Sequence, residues 1–183
     1  MKILILAHAR SGSTTLSKWL SRETNYHLFL EPYNDKTGES VNVNDDYIVK
    51  ELYNHLLLKN INIDQYINGF DVVIGLYREN VEDAMISMLH ANKTGKRHVP
   101  YKLTEEEINQ YKKNIPIDNR DINFIKEREE IIQKSDIVLV YEKIYQTKED
   151  IERLKKFLKL DELKFLYMLD NQNRYRKEIV KII

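Results

Sequence analysis

Short apolar runs alternate with segments of helical periodicity along most of this chain. Four of these runs have the length of a buried strand, and they cover residues 3–7, 26–30, 69–77 and 137–141. A strand with one face in water alternates apolar and polar residues, so continuous apolar runs favour strands that are covered on both faces. The first run leads into a helical pattern with Leu16, Trp19 and Leu20 on one side.

Longer segments with apolar residues at helical spacing predict the helices. Residues 44–60 are predicted to form one helix, because Ile48, Leu52 and Leu56 recur every four residues. Residues 120–134 form a second, strongly charged pattern, whose candidate inner residues are Ile122, Ile125, Ile131 and Ile132.

Buried strands separated by helices predict an α/β protein, with a parallel sheet between two layers of helices. Neither an internal repeat nor a linker interrupts the pattern, so residues 1–183 are predicted to form a single domain. Ligands of such folds bind at the carboxyl ends of the strands. Arg10, Glu31, Arg78 and Glu142 all follow apolar runs, so the sequence predicts that they share this edge.

A phosphate-binding turn is predicted between the first run and the first helix. The turn reads Arg10-Ser11-Gly12-Ser13-Thr14-Thr15. Free N–H groups and the helix dipole at such a junction favour an anion, and hydroxyl groups and a cation complete the site. The Walker A pattern of ATP-binding proteins has Gly and Lys where this chain has Ala7 and Ser13, and the cation lies upstream at Arg10.

A second cation follows the run that ends at Tyr77. Arg78 comes directly after this run, Asn80 is a candidate N-cap, and Ser87 lies on the helix that follows. A guanidinium with a hydroxyl donor is well suited to a dianionic phosphate. The alternative is that Arg78 pairs with a neighbouring acid and Ser87 only packs.

The Arg-Ser-Gly-Ser-Thr turn resembles the 5′-phosphosulfate loop of the sulfotransferases, in the form found in carbohydrate and bacterial members. These enzymes use 3′-phosphoadenosine-5′-phosphosulfate (PAPS) and release 3′,5′-phosphoadenosine (PAP). The resemblance implies a P-loop-type fold. It assigns the 5′-phosphosulfate to Arg10, Ser11, Gly12, Ser13, Thr14 and Thr15. It assigns the 3′-phosphate to Arg78 and Ser87, although Ser87 is nine residues after Arg78, where many cytosolic members have eight.

Three weaker similarities extend the resemblance along the chain. Phe29-Leu-Glu31-Pro32 resembles an element after the second strand of carbohydrate sulfotransferases, and residues 137–142 resemble a late strand that ends in Tyr-Glu. Residues 171–177 resemble a basic C-terminal loop that covers the nucleotide, which implies that Arg174 and Arg176 bind it.

The implied reaction is in-line transfer of a sulfuryl group from PAPS to an acceptor hydroxyl, with Arg10 stabilising the developing charge. Glu31 is the first candidate for the general base, since a carboxylate has this role in several relatives, and burial is expected to raise its pKa. An ion pair with a cation such as Arg10 is the alternative for Glu31. His8 and Glu142 are the reserve candidates.

The amino-acid composition limits the kinds of ligand and partner that this chain is expected to bind. Lys and Arg number 29, Asp and Glu also number 29, and the net charge is zero. This balance gives no general attraction to nucleic acid or to an anionic membrane. The chain has no cysteine, which excludes disulfides and thiolate-held metals. We expect a cytoplasmic enzyme without a metal, acting on a carbohydrate or another small molecule.

Two other classes remain open at this stage. A P-loop kinase for a nucleotide or a small molecule would bind ATP with Mg²⁺, and Ser13 in place of the Walker Lys argues against it. A non-catalytic nucleotide-binding protein of the same fold is the other alternative. The sequence does not determine the acceptor or the oligomeric state.

Overall fold

A five-stranded parallel sheet organises the part of the chain that the computed structural model describes, namely residues 1–34, 46–95, 103–113, 120–146 and 149–160. The spatial order of the strands is β2-β3-β1-β4-β5, so the first strand lies at the centre. The strands are β1 (Lys2–Ala7), β2 (His27–Leu30), β3 (Tyr47–Leu52), β4 (Val72–Tyr77) and β5 (Ile137–Val140).

Helices follow the strands in the manner of an α/β protein. The helices in the described ranges are α1 (Ser13–Thr24), α2 (Tyr53–Leu58), α3 (Ile63–Ile67), α4 (Val81–Thr94), α5 (Glu105–Lys113), α6 (Arg120–Gln133), α7 (Tyr141–Gln146) and α8 (Glu149–Leu158). Asn80 caps α4 as predicted, because its side chain accepts a hydrogen bond from the Asp83 N–H at 3.1 Å. The four predicted strands all form.

The predicted helix over residues 44–60 is wrong. Residues 47–52 form β3, which pairs in parallel with β1 on one side and β2 on the other, and only α2 is helical. The spacing that favoured a helix fits a strand equally well, because residues four apart also lie on the same face of a strand. Ile48 and Leu52 lie on one face of β3, together with Lys50 between them.

The two faces of the sheet are covered by different helices, which confirms the predicted three-layer architecture. Leu16, Trp19 and Leu20 of α1 are buried against one face, as the helical pattern predicts. On the other face Leu56 of α2 and Ile131 of α6 are buried. Burial on both sides explains why the strands read as continuous apolar runs.

Helix α6 packs against the rest of the domain through Phe124 and Ile131, which are buried. These two residues are seven positions apart and lie on the same side of the helix. Two of the four predicted inner residues are instead exposed, Ile125 at 39% and Ile132 at 40%. The end of α6 approaches β4 closely at Gly75. A Cβ atom at that position would lie 2.4 Å from the Oγ of Ser135, just after α6, and 3.1 Å from Cγ2 of Ile131 in α6, so any other residue would require this part of the chain to shift.

Candidate functional site

The turn between β1 and α1 has the backbone of an anion site. Gly12 is the N-cap of α1 with a φ of 78°, and Arg10 also has a positive φ of 63°. The first backbone N–H of α1 that donates to a carbonyl of the turn is that of Thr15, which reaches the Gly12 carbonyl at 3.0 Å. No acceptor within the described ranges is therefore bonded to the N–H groups of Gly12, Ser13 and Thr14. These N–H groups at a helix N-terminus suit phosphate or sulfate oxygens.

Arg10 joins this turn to α4. Its Nε donates a hydrogen bond to the Ser87 Oγ at 2.9 Å. The two residues are 77 positions apart in sequence, so the contact depends on the packing of α4 beside the turn. The resemblance implied that Arg10 binds the 5′-phosphosulfate and Ser87 the 3′-phosphate, and in the structure the two side chains contact each other directly.

Arg78 lies after β4, at the same edge of the sheet. Its guanidinium is 3.5 Å from the Asp83 carboxylate and 3.6 Å from the Glu142 carboxylate, and it stacks on the Tyr141 ring at 4.7 Å from the ring centre. The pairing with acids is the alternative that the sequence left open for Arg78. A phosphate that binds here has to share the guanidinium with these two carboxylates.

Glu142 is held in place by the start of the neighbouring element. Its two carboxylate oxygens accept hydrogen bonds from the backbone N–H groups of Glu79, at 2.9 Å, and Asn80, at 3.2 Å. These bonds tie β5 and α7 to the junction between β4 and α4. Both oxygens of the Glu142 carboxylate are therefore occupied by backbone donors.

Glu31 forms an ion pair, but with Lys50 of β3 rather than with Arg10. The Asn34 side chain also donates to the Glu31 carboxylate at 2.7 Å. Burial alone would raise the pKa of Glu31, but the charge and the hydrogen bond of Lys50 outweigh it, and the pKa lies below its ordinary value. The expected rise of this pKa is therefore wrong, because the Lys50 ammonium lies against the carboxylate and favours its ionised form.

Lys50 is a buried cation that the sequence analysis missed. Its side chain is 2% exposed, and burial lowers its pKa although the Glu31 carboxylate opposes this effect. The Arg10 charge also acts to lower the pKa of Lys50. The available signal was a Lys-Glu pair directly after Tyr-Ile-Val, a β-prone run that ends at the ligand-binding edge.

His8 follows β1 and lies under α6. It is 1% exposed, its ring contacts the Phe124 ring edge-on at 4.2 Å, and neither ring nitrogen has a hydrogen-bond partner among the described residues. Burial, assisted by the charges of Arg128 and Arg78, lowers the pKa of His8 from 6.5 to about 4. The imidazole is therefore neutral at physiological pH.

This shift predicts a pH dependence of stability. Between pH 6.5 and 4 the unfolded chain protonates His8 and the native chain does not, so the free energy of unfolding falls as the pH falls. Over this range we expect the free energy of unfolding of wild type to fall by about 3 kcal/mol more than that of a His8→Phe variant. Urea unfolding at several pH values measures the difference, and His27→Phe, at an exposed histidine of β2, is the control. Parallel pH profiles of wild type and His8→Phe would contradict the burial of a neutral imidazole.

Two of the predicted nucleotide-binding residues, Arg174 and Arg176, lie outside the described residues. Within the described ranges no group of three His, Cys, Asp or Glu side chains is arranged to hold a metal ion. No helix in the same ranges is long and apolar enough to cross a membrane.

Comparisons with known proteins bear on the fold. No family model and no curated protein matches the chain. Among solved structures, mouse sulfotransferase SULT7A1 complexed with PAP matches with a TM-score of 0.53 and 14% identity. The match covers 96% of this chain and 62% of that protein, so this chain spans less than two thirds of the mouse protein.

Two kinases match less well. The shikimate kinase of Bacteroides thetaiotaomicron has a TM-score of 0.48 and 13% identity, over 87% of this chain and 99% of the kinase. The deoxyadenosine kinase of M. mycoides with bound dATP has a TM-score of 0.44 and 18% identity, over 87% and 100%. This chain has a P-loop-like α/β fold. At these identities the likeness extends to the fold alone.

Proposed function

We propose that this protein is a sulfotransferase that moves the sulfuryl group of PAPS to a hydroxyl of a carbohydrate or another small molecule. The observation that carries the proposal is the contact between Arg10 and Ser87. A cation supplied by the turn itself, upstream of its glycine, distinguishes this loop from the Walker A loop, and Ser13 stands where the Walker Lys would be. The mouse sulfotransferase that shares the fold was solved with PAP.

The donor would bind across the carboxyl edge of the sheet. The N–H groups of Gly12, Ser13 and Thr14 hold the 5′-phosphosulfate, and the Thr14 and Thr15 hydroxyls add hydrogen bonds. Ser11 is fully buried, and its N–H donates to the His8 carbonyl at 3.3 Å, so this N–H is not available to the 5′-phosphosulfate. Arg78 binds the 3′-phosphate in competition with its two carboxylate partners.

The chemistry is a single in-line displacement. The acceptor oxygen forms a bond to sulfur as the bond between sulfur and the bridging phosphate oxygen breaks, and the acceptor proton passes to a base of the protein. Arg10 donates to the bridging oxygen as negative charge develops on it, and this contact is stronger in the transition state than in the bound substrate. The products are PAP and a sulfate ester, and no covalent enzyme intermediate forms.

A thermal-shift comparison tests the choice between a sulfotransferase and a kinase. PAP is expected to raise the melting temperature without Mg²⁺, whereas ADP and ATP give smaller shifts whether or not Mg²⁺ is present. A shift by ATP that requires Mg²⁺, with none by PAP, would instead identify a P-loop kinase. A shift by PAP without turnover of any acceptor would favour the non-catalytic alternative.

The 3′-phosphate gives a quantitative prediction. PAP is expected to bind about ten to a hundred times more tightly than adenosine 5′-monophosphate, because a charge-assisted contact to Arg78 contributes about 1.5–3 kcal/mol. Titration calorimetry measures both affinities. Arg78→Ala should abolish the difference, and Arg153→Ala, at an exposed arginine of α8, is the control. Equal affinities in wild type would contradict the assignment of Arg78.

A further inference from the structure

A cation of helix α6 lies over the end of strand β4. The guanidinium of Arg128 is 5.7 Å from the centre of the Tyr77 ring, and the Arg128 side chain is half-buried. Among the described residues, no carboxylate lies within ion-pair distance of this guanidinium. Arg128 has no role in the function proposed above.

The side chains below Arg128 belong to the carboxyl ends of two adjacent strands. The pairing of β1 with β4 extends to the His8 N–H, which donates to the Leu76 carbonyl at 3.0 Å, so His8 and Tyr77 are neighbours. Phe124, about one turn before Arg128 in α6, packs against the His8 ring at 4.2 Å. Helix α6 therefore places an aromatic ring and a guanidinium side by side over this edge of the sheet.

The other cations of this region have polar partners. Arg78 lies near two carboxylates, and the Arg10 guanidinium donates to a serine hydroxyl of α4. Lys134, at the end of α6, also lies near two carboxylates. The face of a tyrosine ring attracts a cation but does not replace an oxygen acceptor for its N–H groups. The half-buried guanidinium of Arg128 would therefore gain free energy from an anionic ligand.

Two acids close to Arg128 in α6 do not pair with it. The Glu130 carboxylate accepts a hydrogen bond from the Tyr53 hydroxyl at 3.3 Å and lies 3.6 Å from the Lys134 ammonium. Burial raises the pKa of Glu127 to about 7, so this carboxyl is only about half ionised at neutral pH. Neither acid cancels the charge that Arg128 brings to the edge of the sheet.

Arg128 and Arg78 lie over opposite faces of the sheet. Arg78 stacks on Tyr141, which packs against the hydrophobic cluster that α1 covers. Helix α6 covers the other face, where Ile131 is buried. In the proposed function, Arg78 and the phosphate-binding turn already hold both anionic groups of the donor. An anion bound by Arg128 is therefore assigned to the acceptor.

We propose that Arg128 binds an oxyanion of the acceptor, so that the hydroxyl to be sulfated belongs to a small molecule or sugar that already carries a carboxylate or a phosphate. A planar guanidinium can hold either group with two parallel hydrogen bonds. The chain has no net charge, so the selection of an acidic acceptor requires a local cation of this kind. This inference rests on the proposed sulfotransferase function and deepens it by naming the class of acceptor.

The experiment compares acceptors that differ in one substituent. Methyl glucoside, methyl glucuronide and methyl glucoside 6-phosphate, with the corresponding galactosides, are offered with ³⁵S-labelled PAPS, and calorimetry measures their binding to the protein saturated with PAP. In wild type, at least one acidic acceptor should bind and react about 10 to 100 times better than its neutral parent. The preference should decrease as the ionic strength rises. The carboxylate and phosphate members show which oxyanion is preferred.

Variants of α6 locate the preference. Arg128→Ala should lower kcat/KM for the acidic acceptor about 10- to 100-fold, while transfer to the neutral parent and the affinity for PAP stay within about twofold of wild type. Arg128→Lys keeps the charge without the two-pronged geometry and should retain part of the preference. Lys126→Ala, at an exposed position of the same helix, should behave as wild type. The melting temperature of Arg128→Ala should change by less than about 2 °C, whereas a cation with a structural role would lower it further.

The outcomes separate this inference from the proposed function. A wild-type chain that does not bind PAP overturns both. A wild-type chain that binds PAP, and binds the acidic and neutral acceptors equally or binds none of them, overturns the role of Arg128 alone. A tenfold or greater loss of PAP affinity in Arg128→Ala would place this guanidinium at the nucleotide and also overturn it. If Arg128→Ala does not fold, Arg128→Gln replaces it with the same measurements.

Discussion

Replacing Arg10 with alanine is expected to lower the rate of sulfuryl transfer about 10³-fold, with less than a tenfold change in the affinity for PAP. The loss is concentrated in the rate because PAP lacks the sulfuryl group, and the proposed contact of Arg10 strengthens only as charge develops on the bridging oxygen. Single-turnover transfer from ³⁵S-labelled PAPS measures the rate, and calorimetry measures the affinity.

The backbone makes Arg10→Ala a clean substitution. Arg10 has a φ of 63°, and arginine and alanine pay the same steric cost in this left-handed region. A change in the melting temperature would therefore report the side chain, including its bond to Ser87. Lys18→Ala, at an exposed position of α1, controls for loss of a positive charge near the turn. Near-normal turnover of Arg10→Ala would show that the guanidinium only joins the turn to α4.

The second large effect is expected on stability. Lys50→Met should lower the free energy of unfolding by about 3 kcal/mol, because it leaves the Glu31 carboxylate, which is 18% exposed, without its cation. Glu31→Gln alone should also destabilise, because it leaves a buried ammonium unpaired. The double variant should recover most of the loss, since two neutral side chains of similar shape carry no desolvated charge. Urea unfolding of the four proteins gives the coupling energy.

A surface ion pair of the same type provides the control for this cycle. Lys155 and Glu152 of α8 form a pair at 2.8 Å, and Glu152 is 63% exposed. Lys155→Met should change the stability by less than about 1 kcal/mol. If the double variant at Lys50 and Glu31 were as unstable as the sum of the single variants, the two side chains would not act as a pair.

The fold was largely predictable from the sequence, since a strand buried on both faces produces an apolar run that few other structures produce. The exception is β3, where Lys50 and Glu51 interrupt the apolar pattern that the other strands keep. A buried charged pair in a strand is stable only when neighbouring strands supply partners, and those partners are far away in sequence. Glu31, which directly follows β2, is one such partner, and no local pattern indicates it.

For the candidate site, the sequence predicted the edge of the sheet at which the residues lie but not the groups that they contact. Arg10, Glu31, Arg78 and Glu142 all lie at the carboxyl edge of the sheet, because the position of a residue after a strand fixes the edge at which it lies. Their partners were not predictable, since the choice between a phosphate and a carboxylate for Arg78 depends on where α7 begins.

The close approach at Gly75 links the position of β4 to that of α6, the helix whose Phe124 packs against His8. Gly75 allows Ile131 of α6 to lie against β4, and Phe124, seven residues earlier in the same helix and about 10 Å away at 1.5 Å per residue, packs against His8. An alanine at this position would require α6 to move away from β4 or along it. Such a movement would change the position of Phe124 over His8, beside the phosphate-binding turn, without any change in the residues of the turn itself.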